Sequence, residues 1–176
     1  ISWHEYFHPP EVFRAEAEAF RGYLEDFPEL KKTVSSWMVT EWNEAWWADP
    51  PQDNELGAAW CANTVTRAFL PAKVDRPCFF YAKQGDDTFR GDYGLLMKDN
   101  VPKPQYHVMR MFNTLTGRWV PVFGDDSEVS CVAAWDADVG RLAVVLVNHT
   151  DRYNVPRRIR LVVNCPTAAK SLEYRV

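Results

Sequence analysis

The residues best suited to chemistry fall in one run, Ser36-Trp37-Met38-Val39-Thr40-Glu41-Trp42-Asn43-Glu44-Ala45-Trp46-Trp47. A carboxylate can attack a carbon or carry a proton, and two carboxyls together can do both. The amide of Asn43 can donate to a carboxylate and keep it ionised. The apolar residues from Trp37 to Val39 read as a short buried strand. Ligands of α/β sheets and barrels sit beyond the carboxyl ends of their strands. A strand that stops on Glu41 among aromatic side chains is therefore a candidate active-site edge. It reads equally as a loop carboxylate on a solvated rim beside core tryptophans, and the run alone does not choose.

Other groupings carry less. His4 and His8 have the spacing of zinc ligands on a helix face, but they lie in a strand-like run closed by Pro9-Pro10. Asp86, Asp87 and Asp92 lack the spacing of a calcium loop and read as solvated. Gly91-Asp92-Tyr93-Gly94 does not join a strand to a helix in the manner of a phosphate cradle, and no Gly-x-Ser-x-Gly elbow occurs. No cofactor and no metal is expected. Lys83, at a strand end, could meet an anionic substrate group, although most lysines are simply solvated. Trp37, Trp42 and Trp60 read as core residues.

These residues need a frame. Ile1 to Phe7 reads as a strand. Glu11 to Phe27 has an apolar stripe near the helical period, with proline at its start. The Trp37 strand follows a turn at 29–32. A helix is expected over Glu55 to Leu70, a strand over Cys78 to Ala82, a loop over Gln84 to Gly94, and a third helix over Gln105 to Leu115. Alternation of this kind implies parallel strands with right-handed helical crossovers. From Gly117 the character changes. Arg118 to Val122, Val129 to Trp135, Leu142 to Asn148 and Arg158 to Val163 are strand-like runs separated only by turn signals, which suits an antiparallel sheet or sandwich. Three strand–helix units do not close an eight-stranded barrel. The first part is either a small open sheet or the C-terminal portion of a larger barrel.

The 176 residues are 47% hydrophobic and 14% aromatic, ample for a packed core. A net charge of −4 argues against a nucleic-acid or anionic-membrane partner. No apolar run approaches the length of a membrane span. No signal peptide is visible, but the chain opens without Met inside a strand-like run, so its compartment stays open. Cys61, Cys78, Cys131 and Cys165 are widely spaced without a CxxC pair. They are expected to be mostly free thiols, with one disulfide possible.

Three segments resemble one family in the same order. Val39-Thr40-Glu41-Trp42-Asn43 resembles the strand-seven Thr-Glu-aromatic-Asn motif of glycoside hydrolase family 39, which includes β-xylosidases and α-L-iduronidases. Gly91-Asp92-Tyr93-Gly94-Leu95 with Val101-Pro102-Lys103-Pro104 resembles the family's Gly-Gly-Phe-Gly-Leu and Ile-Pro-Lys-Pro segment after strand eight. Ile1-Ser2-Trp3-His4-Glu5-Tyr6 resembles the end of strand six, with its His-x-Tyr. The resemblance implies an α/β fold: about strands six to eight of a (β/α)8 TIM barrel over residues 1–116, then β-sandwich strands of an accessory domain over 117–176.

By that resemblance Glu41 is the nucleophile of a retaining glycosidase and Tyr6 hydrogen-bonds it. His4, Asn43, Trp46, Trp47, Tyr81 and Lys83 would meet an oligosaccharide or glycoside, the tryptophans by stacking on sugar C–H faces. Retention requires a second carboxyl about 5–5.5 Å from the first. The family carries it as an Asn-Glu pair at the end of strand four. Asn43-Glu44 imitates that pair, but a strand-four assignment needs four more strand–helix units, at about 30 residues or more each, and only two strand-like segments follow before the helix-free region. The acid/base is therefore expected to be missing from this chain. Strand eight also departs from the family, reading Phe79-Phe80-Tyr81-Ala82-Lys83-Gln84. A rival reading is a non-catalytic carbohydrate-binding or assembly module. An open parallel sheet of this kind would dimerise or pair with a missing N-terminal barrel half.

Overall fold

The structure is a computed structural model that describes residues 1–45, 47–86, 89–124, 126–150 and 155–164. It is a mixed α/β arrangement with two three-stranded sheets. The first is parallel, in the order β1 (Ser2–Tyr6), β2 (Met38–Asn43), β3 (Arg76–Phe79). Between β1 and β2 run helix α1 (Pro10–Glu25) and the short α2 (Pro28–Thr33), both opened by prolines whose missing N–H groups would be unpaired there anyway. Between β2 and β3 comes α3 (Glu55–Thr64), capped by the Asn54 side chain, which accepts from Leu56 N–H. The expected helix to Leu70 is present, but it widens into a π turn over Val65–Phe69. Helix α4 (Pro104–Phe112) follows β3.

Strand β2 is longer than the Trp37–Val39 run and contains Glu41 within it. It also has one residue too many. Trp3 pairs with Val39 and His4 with Glu41, so Thr40 bulges out. The register against β3 slips over the same stretch. A regular strand sends residues three apart to opposite faces. The bulge cancels that rule, so Val39 and Trp42 both bury completely on the helix side. Glu41 turns to the other face. The Thr40 hydroxyl donates to the Trp3 carbonyl at 3.1 Å and helps tie the bulge to β1.

Strand β3 ends at Phe79, earlier than the Ala82 the sequence suggests. Its continuation leaves β2 and pairs with a loop instead: Tyr81 N–H donates to Tyr93 O, Leu95 N–H to Tyr81 O, and Gln84 N–H to Leu96 O. Pro77 sits in β3 without harm, because β3 is an edge strand.

The second sheet is antiparallel, β4 (Arg118–Val120), β5 (Val129–Asp136) and β6 (Arg141–Asn148). Of the four expected strands, Arg158–Val163 does not form. Residues 155–164 carry no regular structure, since an alternating pattern becomes a strand only with a ladder partner. One apolar cluster joins both sheets: Phe13, Val39, Trp42, Trp60 and Phe69 share it with Val145 and Val147 of β6. Trp42 is its centre, meeting Phe69 and Phe79 edge-on and Trp60 at a tilt. Cys61, Cys78 and Cys131 are free, and Cys165 lies outside the described residues. Among the described residues no helix is long and apolar enough to cross a membrane.

Candidate active site

The side of the parallel sheet turned away from the helices carries His4, Tyr6 and Glu41, while Glu5 of β1 faces the other way and is buried. Alternation puts His4 and Tyr6 of β1 on the first side, and the bulge adds Glu41 of β2. Tyr6 Oη donates to Glu41 Oε2 at 2.8 Å. His4 Nδ1 lies 3.4 Å from the same oxygen. The Glu41 side chain is 36% exposed, so the carboxylate can be reached from outside. Burial holds the Tyr6 phenol well above the usual tyrosine range, and the bond to Glu41, the charge of Glu41 and the neighbouring Tyr93 push the same way. Tyr6 therefore stays a neutral donor at any physiological pH. The bond holds the Glu41 carboxylate in one orientation.

Asn43 lies at the end of β2 and is 2% exposed. Its amide donates to Phe80 O at 2.6 Å and Tyr93 O at 3.3 Å, and its oxygen accepts the Glu44 N–H at 2.7 Å. Both amide hydrogens thus go to backbone carbonyls. Asn43 ties the strand end to the segments on its far side, a positioning geometry rather than a substrate contact.

Tyr81 is half-buried beside Tyr93 and Phe80. Its phenol is raised by burial and, less strongly, by the negative charge of Asp92. Lys83 is exposed and donates to Asn100 Oδ1 at 2.8 Å. Trp47 is 52% exposed and stacks on Phe7, with centroids 4.1 Å apart and 27° between planes. Trp46 lies outside the described residues.

Phe7, Phe80 and Tyr93 belong to the same neighbourhood and were not singled out by residue type. Phe7 directly follows Tyr6 and holds φ +66, which a bulky side chain rarely adopts. Phe80 and Tyr93 build an aromatic wall with Tyr6 and Tyr81. The signal that could have found Tyr93 is the Gly-Asp-Tyr-Gly run, where two glycines allow close backbone approach.

Glu44 points elsewhere. It lines a cleft of about 240 Å³ together with Phe7, His8, Trp60 and His149. A larger hollow of about 350 Å³ sits at the opposite end of β2, beside Arg21 and Trp37. Among the described residues no group of three His, Cys, Asp or Glu side chains could hold a metal ion.

No protein-family model and no curated protein matches the sequence. Solved structures do match. A GH39 β-xylosidase from Caulobacter crescentus aligns at 20% identity with a TM-score of 0.59, over 81% of this chain and 31% of that one. A GH39 enzyme from Xanthomonas axonopodis pv. citri aligns at 19% identity and a TM-score of 0.55, over 67% of this chain and 23% of that one. A glucosidase from Croceicoccus marinus aligns at 18% identity and a TM-score of 0.66, over 84% and 32%. The chain spans a third or less of the length of these structures. At such identities the likeness is one of fold. At that level the resemblance read from the motifs, to the C-terminal portion of a family 39 glycoside hydrolase, holds.

Proposed function

We propose that this chain is the C-terminal portion of a retaining glycoside hydrolase, with Glu41 as nucleophile. The observation that carries the reading is the reachable Glu41 carboxylate at the carboxyl end of a parallel strand, held at 2.8 Å by a phenol that keeps its proton. On this reading β1, β2 and β3 are strands six to eight of a (β/α)8 barrel within residues 1–116, and 117–176 belong to an accessory β-sandwich. Glu41 attacks the anomeric carbon while a second carboxyl, outside this chain, protonates the leaving oxygen. Water then cleaves the glycosyl ester with that second group as base. Tyr6 orients Glu41. His4, Trp47, Tyr81 and Lys83 form the rim that a glycoside of the xylosidase or iduronidase kind would meet.

Glu41→Gln in the whole enzyme lowers kcat by about 10⁴-fold or more, the scale on which single catalytic nucleophiles act. A fluorinated glycoside that traps the glycosyl-enzyme labels Glu41, read by mass spectrometry of the peptide. Undiminished turnover in the variant would remove Glu41 from this role.

A second reading, a carbohydrate-binding or assembly module, is favoured by one feature. β1 and β3 are both edges of the parallel sheet, and open edges invite pairing with another chain or a missing barrel half. Glycan binding by the 176-residue chain without turnover after the upstream half is supplied would select it.

A further inference from the structure

The motif segments after β3 contain a feature that the proposed chemistry does not use. Lys103 is completely buried, and its Nζ lies 2.5 Å from Asp53 Oδ1, a side chain that is 7% exposed. Asp53 comes from the loop between β2 and α3, and Lys103 from the loop between β3 and α4. The same Nζ donates to the Asp92 carbonyl at 2.6 Å. The other Asp53 oxygen accepts the Gly91 N–H. Asp49 N–H donates to Gly91 O at 2.9 Å. Gly91 has φ +78, and a side chain there would strike the Asp49 backbone, so the two loops touch through bare main chain.

A buried ion pair is a poor way to gain stability, because desolvating two charges offsets much of their attraction. In some proteins such a pair instead fixes one arrangement against its neighbours. What it fixes here can be followed atom by atom. Lys103 and Asp53 clamp the backbone of Gly91 and Asp92. The next residue, Tyr93, presents its carbonyl to Asn43 and its ring to the aromatic wall around Tyr6. Asn43 ends the strand that carries Glu41, and its oxygen holds the Glu44 N–H.

We propose that Lys103 and Asp53 are positioning residues: their buried pair locks the 91–93 backbone against the β2–α3 loop and so sets the end of β2 that carries the nucleophile. The catalytic consequence rests on the glycosidase reading; the positional one does not.

The test uses the double variant Lys103→Met/Asp53→Asn, which removes both charges while Asn retains an acceptor for Gly91. Amide hydrogen exchange is followed by mass spectrometry. The expected result is exchange about tenfold faster or more in peptides covering 43–49 and 91–95, with β1, α1 and β6 unchanged, since local openings report local stability. Unchanged protection at 43–49 overturns the proposal. So does loss of protection everywhere together, or failure to fold, because the pair would then be an ordinary structural support; Asp53→Asn alone applies the same criterion in a milder form. In the whole enzyme kcat falls up to about 10²-fold with KM within about twofold, as a small misplacement of a reacting group would cause. Lys103→Arg does not rescue, because its planar fork cannot replace one point charge between Oδ1 and a carbonyl. Wild-type enzyme inactive on every glycoside would sink the glycosidase reading and leave the exchange result standing.

Discussion

The two sheets follow different rules. β5 and β6 pair residue for residue over Val129–Asp136 and Arg141–Asn148 without a slip. In β6, Val145 and Val147 bury while Leu146 between them is 42% exposed. That is the plain period of two. In the parallel sheet the register slips at β2 against both neighbours, and the slip falls where His4 meets Glu41. The regular sheet contributes apolar surface to the core. The irregular one turns a carboxylate out of the core without losing the tryptophan next to it. Bulges of this type re-aim side chains next to active sites, and here the bulge separates Glu41 from Trp42.

The comparison breaks if the sheets prove independent. Trp42→Ala empties the centre of the shared cluster and costs about 3–5 kcal/mol. Val145→Ala in the regular sheet costs about 2 kcal/mol by lost methyl groups and a partial cavity. Both act on one cooperative transition, read as superimposable denaturation curves by tryptophan fluorescence and by circular dichroism. Separate transitions for the two sheets would contradict the common core.

A second contrast is electrostatic. Tyr6 binds its proton more tightly folded than unfolded, chiefly through burial and its bond to Glu41. Its contribution to stability is therefore complete below pH 10, the ordinary phenol value, and is lost as pH climbs from there towards the folded value. Tyr81 acts in the same direction. Tyr6→Phe makes the fall of the urea midpoint above pH 10 shallower than in the parent and leaves the unfolding free energy at pH 7 within about 1 kcal/mol. An unchanged alkaline slope would show that Tyr6 does not hold its proton against Glu41.

The smallest effect concerns thiols. Cys78 on the edge strand β3 is exposed and reacts first with a disulfide reagent. Cys131 of β5, half-buried with its thiol pushed up by burial, follows slowly. Cys61, fully buried and pushed higher still, also by the charge of Glu44, reacts only on unfolding. Early modification of Cys61 would mean that α3 opens locally.

Much of this frame was legible beforehand. The apolar stripe and proline starts located α1 and α4, and the loss of helical period after Gly117 marked the second sheet. Trp42 and Trp60 were readable as core, and the hydrogen bond from Tyr6 to Glu41 that the motifs implied is present. The bulge was not legible. Val39 and Trp42 are an odd number apart, so period-two reading cannot put both on one face. Nor could pattern place the end of β3, which depends on a ladder between Tyr81–Gln84 and Tyr93–Leu96 that no local preference specifies. Asn43 looked like a ligand-facing amide because its two carbonyl acceptors come from residues 37 and 50 positions away. The Lys103–Asp53 pair was hidden for the same reason, since lysine in a proline-flanked loop reads as solvated.

The cluster that links Trp60 and Phe69 to Val145 and Val147 also bears on modularity. A β-sheet that follows an α/β unit in the chain is easily pictured as a cassette, exchangeable at the connecting segment. Here a crossover near residue 116 would strip α3 and the π turn of the surface that covers them, and leave β6 with valines facing water. Exchange would succeed only with a donor sheet shaped to the same helix. The packing unit is therefore the sheet together with α3, and a substitution on one side of that seam changes the surface the other side must fill.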